Sequence, residues 1–288
     1  MKHLRALVWM LPLLVHAADA YAWGLYTHMY FAQLLVWAVP LADSRFRRAL
    51  RRFPELCLAG TCLPDVSLFS KVTANATLGT THQWTAAARV LSAASNDEER
   101  AMALGFAGHL LTDIVAHNYF VPAHEAKWLR APVLTHAACE WAMDAHVAPQ
   151  LFVQPEVLMR RHSDALSDCA ERSLGCDRHA VRKALYCLQR AEQVLRRSRL
   201  PALIYRASRR IDTTVAARFD EYIRETSARL HQINRLIAGD IPAWPPEVPP
   251  TPHELESSVA EVPRPHYSLL LPADFFQAAK MRDCDGRR

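Results

Sequence analysis

The chain is poor in glycine, with 8 in 288 residues. A turn-rich β fold draws on glycine for its positive-φ corners. This scarcity, beside abundant alanine, leucine and arginine, favours helices. After residue 22, no apolar run reaches the roughly 18 residues that a membrane span requires. G-x-G-x-x-G, P-loop and G-x-S-x-G patterns are all missing, which removes the usual signatures of dinucleotide binding, nucleotide phosphate loops and α/β-hydrolases. There is no internal repeat. The 7 cysteines form no C-x-x-C pair, so no thiolate zinc pattern is present. The net charge is a modest +5. Dedicated nucleic-acid binding calls for a concentrated basic face, so no such partner is expected. Arg160, Arg161, Arg182, Lys183, Arg196, Arg197, Arg199, Arg209 and Arg210 fall late in the chain. They read as solvated helix sides, with contact at a phospholipid surface as the alternative.

What is present begins with a leader. Lys2 and Arg5 make a basic start, residues 6–15 (ALVWMLPLLV) an apolar run too short for an anchor, and Ala20-Tyr21-Ala22 a small-x-small cleavage site. Residues 1–22 therefore read as a signal peptide, cleaved after Ala22, with a secreted or periplasmic destination. Loss of Lys2, Arg5 and Asp19 takes the charge from +5 to +4 and leaves Trp23 as the first residue. Export makes disulfides available. Cys57 with Cys62, and Cys169 with Cys176, are close enough to close small loops, and Cys187 with Cys284 would make a third pair. Spacing does not fix the connectivity. Cys139 lies in an apolar helical pattern and reads as a buried thiol.

The pattern along the chain predicts an all-α, multi-helix domain over 23–240 and a Pro-rich extension over 241–288. A first helix over 25–39, ended by Pro40, carries His28. Asp43 or Ser44 caps a basic helix over 45–52. Residues 53–79 turn often, and Asp65 sits in that loop. His82 opens the next helix, to about Ala94. Ser95 to Glu98 then reads as loop and cap, with Glu98 or Glu99 placed for a capping box. The central helix follows, to about Tyr119. Pro122 and Pro132 bracket a connector holding His124 and Trp128, and Thr135 starts another helix. Helices near 156–168, 178–198 and 200–237 read as scaffold. From Pro242 the prolines imply an extended connector, and the apolar run within 265–276 is expected to dock back on the domain.

The central stretch, GFAGHLLTDIVAHNY over 105–119, holds His109, Asp113 and His117 at four-residue steps. On a helix these form one ridge, and the residues between them are apolar. Burying such groups unpaired costs a few kcal/mol each, roughly, so three in register imply a shared purpose. In the later helix, His136, Glu140 and Asp144 repeat the spacing. Taken singly, His28, Asp65 and His82 read as helix-end and turn residues, and Trp84, Trp128 and Trp141 as core. Together the candidate metal ligands are the Trp23 terminus, His28, Asp65, His82, His109, Asp113, His117, His136 and Glu140. Imidazole and carboxylate are the usual non-thiolate zinc donors, and this many suit two or three Zn2+ ions sharing the central Asp113. Such clusters bring the pKa of water towards neutrality and offset phosphate charge. A freed first residue can also chelate through its amine and carbonyl oxygen.

This ordered set resembles the zinc-dependent phospholipase C family of secreted bacterial enzymes, whose relatives include fungal single-strand nucleases. The family pattern is a mature N-terminal Trp, a nearby His, an Asp in a loop, a His, HxxxD, a further His and HxxxE. Here these fall on Trp23, His28, Asp65, His82, His109 with Asp113, His117, and His136 with Glu140, within residues 23–146. The resemblance implies an all-α fold with the metals in an interhelical cleft. One zinc would lie on Asp65, His82, His109 and Asp113, a second on His117, His136 and Glu140, and a third on Trp23, His28 and Asp113. Asp65 is the candidate general base. The implied activity is hydrolysis of a phospholipid headgroup ester, or another phosphodiester, by a metal-activated water. A nuclease or 3′-nucleotidase on the same scaffold, and a non-catalytic exported metal-binding protein, are the alternatives. In the closest phospholipases and the nucleases the His after HxxxD falls six residues past the Asp. Here it falls four past, as DIVAH, a form similar to that of the glycosylphosphatidylinositol-cleaving phospholipase D. His124 is the rival to His117. Asp144 is expected to orient a ligand His, and His146 to lie at the surface. No residues for headgroup recognition are matched.

Overall fold

The structure is a computed structural model that describes residues 24–125, 127–128, 132–246 and 271–277. The leader, Trp23, Cys284 and most of the Pro-rich extension lie outside the described residues. Among those described there is no strand. The helices are α1 (Leu25–Trp37), α2 (Ser44–Arg52), α3 (Pro54–Gly60), α4 (Ser70–Thr73), α5 (Trp84–Ala93), α6 (Asp97–Val115), α7 (Val121–Glu125), α8 (Pro132–Val147), α9 (Pro155–Arg161), α10 (Ser163–Leu174), α11 (Arg178–Ser198), α12 (Leu200–Ile211), α13 (Val215–Arg229) and α14 (Ile233–Ile237). None is long and apolar enough to cross a membrane.

The axis of the fold is α6, buried from Ala101 to Val115 on every face. A helix apolar all round has to be enclosed by others, and α1, α2, α3 and α5 supply the enclosure. Its start is set by sequence-local bonds. Asn96 Oδ1 accepts the Glu99 N–H at 2.9 Å, and Glu99 reaches back to the Ser95 N–H at 2.7 Å. Glu99, not Glu98, thus closes the cap. Asp97, in the same turn, takes Arg48 Nε and Arg52 Nη1, each at 2.9 Å, and so ties α2 to α6. The crossing of α3 over α6 depends on two of the few glycines. A Cβ on Gly105 would lie 1.9 Å from the Cys57 carbonyl oxygen, and one on Gly60 2.3 Å from that of Met102. Here backbone packs on backbone, and only glycine leaves room.

Several predicted boundaries shift. The central α-helix stops at Val115 and widens into a π turn over Ala116–Phe120 before α7. The connector before Thr135 is shorter than expected, because α8 begins at Pro132. The single helix expected over 200–237 is three, broken where Asp212 Oδ1 accepts the Thr214 N–H at 2.9 Å and again by a 3-10 turn over Leu230–Gln232. The loop over 53–79 contains α3, α4 and two 3-10 turns. The six described cysteines are all free and buried, so the pairs 57/62 and 169/176 are not formed. Each of these thiols is packed into the core cluster instead.

The C-terminal run returns to the body. Phe275 is 1 % exposed, its N–H donates to Gln232 Oε1 at 2.9 Å, and its carbonyl accepts the Ala243 N–H at 2.9 Å. Arg229 Nε donates to the Pro272 carbonyl at 2.6 Å. Residues 243–245 pass between α5 and the π turn, where the Trp244 carbonyl accepts Trp84 Nε1–H at 2.9 Å and the Pro245 carbonyl accepts Asn118 Nδ2–H at 3.2 Å.

Candidate metal centre

Three helices (α1, α6 and α8), the π turn, a 3-10 turn and the turn ahead of α5 bring the donors together. From α1, His28 meets α6, its ring stacked on that of His109 at 3.5 Å. His82 sits just ahead of α5, and Asp65 in the 3-10 turn over Pro64–Phe69. Asp113 is wholly buried at the middle of the group. Its Oδ1 lies 3.1 Å from His28 Nε2 and 3.6 Å from His117 Nε2, and its Oδ2 3.1 Å from His109 Nε2 and 3.9 Å from His82 Nε2. Asp65 Oδ1 lies 3.4 Å from His82 Nε2 and 3.6 Å from His109 Nε2. In two groups, His28 with His109 and Asp113, and Asp65 with His82 and His109, the donor atoms all fall within 4.8 Å of one another.

Proton positions give this geometry its meaning. His109 Nδ1–H donates to the Thr61 carbonyl at 2.9 Å. Thr112 Oγ1 donates to the His109 carbonyl at 2.8 Å and so accepts from His28 Nδ1–H at 3.2 Å. A neutral imidazole with its proton on Nδ1 carries a lone pair at Nε2. Burial, reinforced by the neighbouring His109, His82 and His117, pulls the His28 pKa well below the usual range and keeps that ring neutral. Two acceptors, an imidazole nitrogen and a carboxylate oxygen, therefore face each other at 3.1 Å. His109 and His82 meet Nε2 to Nε2 at 3.2 Å, with Ser67 Oγ on the far nitrogen of His82. Acceptors repel at such distances unless a cation lies among them, and outer partners that hold the far ring nitrogen are the usual companions of metal-bound histidine. The donor set fits divalent zinc on this observation.

The third part of the group is looser. The His117 and His136 rings stand 5.9 Å apart, and His136 Nε2 lies 2.7 Å from Glu140 Oε1. Burial lowers His117, and then His136 beside it adds to the effect. For His136 burial acts in the same direction, but Glu140 and Glu125 outweigh it and raise its pKa to about 10. Burial raises Glu140 to about 7 against the pull of His136.

Each described donor expected from the sequence lies in this one region; Trp23 is outside the described residues. His124 is elsewhere, its Nδ1–H on the Phe120 carbonyl at 2.7 Å and its ring among Phe120, Trp128, Phe219 and Tyr222. Burial lowers it to about 4. Asp144 does not turn to a histidine. Its Oδ1 accepts the Thr27 N–H at 2.9 Å and the Thr27 hydroxyl at 2.8 Å, and its Oδ2 pairs with Arg196. His146 is only half-buried and is bonded to Tyr205 and Asp220. Sequence reasoning missed Thr61, Ser67 and Glu125. Ser67 Oγ lies 3.1 Å from His82 Nδ1, and Glu125 Oε1 3.7 Å from His136 Nδ1. A carbonyl such as that of Thr61 has no side-chain signal at all. Glu125 lies across a connector from His136 and carries no spacing relation to it.

A family model described as zinc dependent phospholipase C matches residues 27–176, just over half of the chain. The match takes in the donors from His28 to Glu140 and ends before α11. No curated protein and no solved structure matches the chain.

Proposed function

The chain belongs to the zinc-dependent phospholipase C family, and from that premise we propose that it is an exported phosphodiesterase hydrolysing the headgroup ester of a phospholipid. The products are diacylglycerol and a phosphorylated headgroup. One observation carries the reading: the Nε2 atoms of His28 and His109 each lie 3.1 Å from the buried Asp113 carboxylate while their Nδ1–H groups are turned outward, to Thr112 and the Thr61 carbonyl. Asp65, His82, His109 and Asp113 would hold one ion, His117, His136 and Glu140 a second, and His28 and Asp113 with the Trp23 terminus a third. Zinc supplies Lewis acidity and brings the pKa of water towards neutrality.

The chain's own residues do the rest. Asp113 spans the group with both oxygens and keeps His28, His82, His109 and His117 at one centre. Asp65 is the base: its Oδ1 stands at the edge of the group, 3.4 Å from His82 Nε2, and can take a proton from water as the oxygen attacks phosphorus. The bond from phosphorus to the glycerol oxygen breaks, and that oxygen leaves with the proton that Asp65 took from the water. The test is release of phosphorylated headgroup from mixed phospholipid vesicles by the purified chain, abolished by chelator and restored by zinc. Cleavage of single-stranded nucleic acid or 3′-nucleotides in its place would assign the nuclease reading, which the short DIVAH spacing disfavours. Bound zinc with no hydrolysis of either class would assign the non-catalytic reading.

A further inference from the structure

His117 differs from His109 in the backbone that carries it. His109 stands in the regular part of α6, whereas His117 stands in the π turn over Ala116–Phe120. The cause of the widening lies two residues beyond that turn. A proline has no N–H for the carbonyl four residues before it, and its ring crowds that carbonyl. Pro122 stands four past Asn118, so four-residue bonding cannot run through, and the Val121 N–H reaches five back, to the Ala116 carbonyl.

One side chain fastens this turn on two sides. Asn118 Nδ2 donates to the Ile114 carbonyl at 2.9 Å and to the Pro245 carbonyl at 3.2 Å. Two carbonyl acceptors fix the orientation of the amide, since only its nitrogen end can donate. The first bond ties the turn back to α6. The second ties it to the segment over 243–245, which Trp84 Nε1–H holds through the Trp244 carbonyl at 2.9 Å. Beside it the Tyr119 and Trp244 rings lie 5.7 Å apart. The residue next to Asn118 is His117, whose Nε2 lies 3.6 Å from Asp113 Oδ1 and whose ring lies 5.9 Å from that of His136.

We propose that Asn118 is the positioning residue for His117: its two bonds lock the π turn in the register that directs this imidazole at the ion shared with His136 and Glu140. This rests on the metal reading above. It goes beyond that reading by giving a role to a side chain that is no ligand, and by drawing into the site's support an acceptor, Pro245, that lies outside the family match. Groups that orient a ligand from outside the donor set are worth about 10–100-fold in metal affinity.

Zinc is titrated against a chelator in the full chain, and the absorption spectrum of the cobalt-substituted protein is recorded. Asn118→Leu roughly keeps the side-chain volume and removes both donated bonds. It is expected to weaken one ion by about 10–100-fold, to leave the others as they were, and to alter the cobalt spectrum as His117→Ala does. In the His117→Ala background the same substitution is expected to change none of the remaining affinities, because its effect passes through that imidazole. Unchanged zinc affinities in Asn118→Leu overturn the proposal, whatever the melting temperature. So does an equal weakening of every ion, or any further weakening in the His117→Ala background. An unaltered chain that binds no zinc overturns the metal reading itself, a separate result from an indifferent Asn118→Leu. If Asn118→Leu does not fold, Asn118→Ala carries the same comparison, with loss confined to one ion expected and uniform affinities fatal.

Discussion

Asp113 and His124 lie eleven positions apart on one continuous run and have opposite surroundings. Asp113 meets four imidazoles, so Asp113→Asn is expected to lower zinc affinity at least about 100-fold, read by chelator competition. His124 is enclosed by aromatic rings and hydrogen-bonded to its own turn. His124→Leu is expected to keep the full zinc load and to cost about 1–3 kcal/mol in urea unfolding for the lost bond. His117→Ala should do the reverse, losing zinc with little change in unfolding. The convergence of His109, Asp113 and His117 was legible because helical spacing maps onto a ridge. The ridge was nevertheless read too simply: the π turn after Val115 departs from four-residue periodicity, and His117 still reaches Asp113 at 3.6 Å. Such one-turn widenings recur at functional sites, and nothing in AHNYF announces one.

At the scale of elements, the fold depends on how α2 and α3 meet α6. Gly105→Ala is expected to destabilise by about 3 kcal/mol or more, since its methyl would lie 1.9 Å from a backbone oxygen that no rotamer can move. Asp97 offers a pH test. Arg48 above all, with Arg52, holds its carboxyl down to about 2, against about 3.9 in an unfolded chain. A lowered folded-state pKa contributes stability that is complete above the unfolded value and is lost as the pH falls towards the folded one. Urea midpoints measured from about pH 4 down to about pH 2 should therefore fall less steeply in Asp97→Asn than in the unaltered chain. Capping at Asn96 and Asp43 was readable from residue type alone, and so was the break that Asp212 makes with Thr214. Passing over that last signal merged α12 with α13 in one expected helix, and the 3-10 turn over Leu230–Gln232 that parts α13 from α14 has no such residue signal.

For the molecule as a whole, the family match ends at residue 176, but the interior does not. Phe219 and Phe275, beyond it, are wholly buried. Phe275→Ala is expected to cost about 3–5 kcal/mol in urea unfolding while leaving the zinc load unchanged. Composition made the all-α class plain, and alternating prolines marked the extension. The docking of its apolar run followed from hydrophobicity alone, whereas its route past Trp84 and Asn118 is a matter of tertiary contacts that no local pattern encodes.

Because Phe275 docks on Gln232 and Ala243, far from it along the chain, this segment works as a clasp: releasing it would uncover an apolar seat on the helical body without touching the histidine cluster.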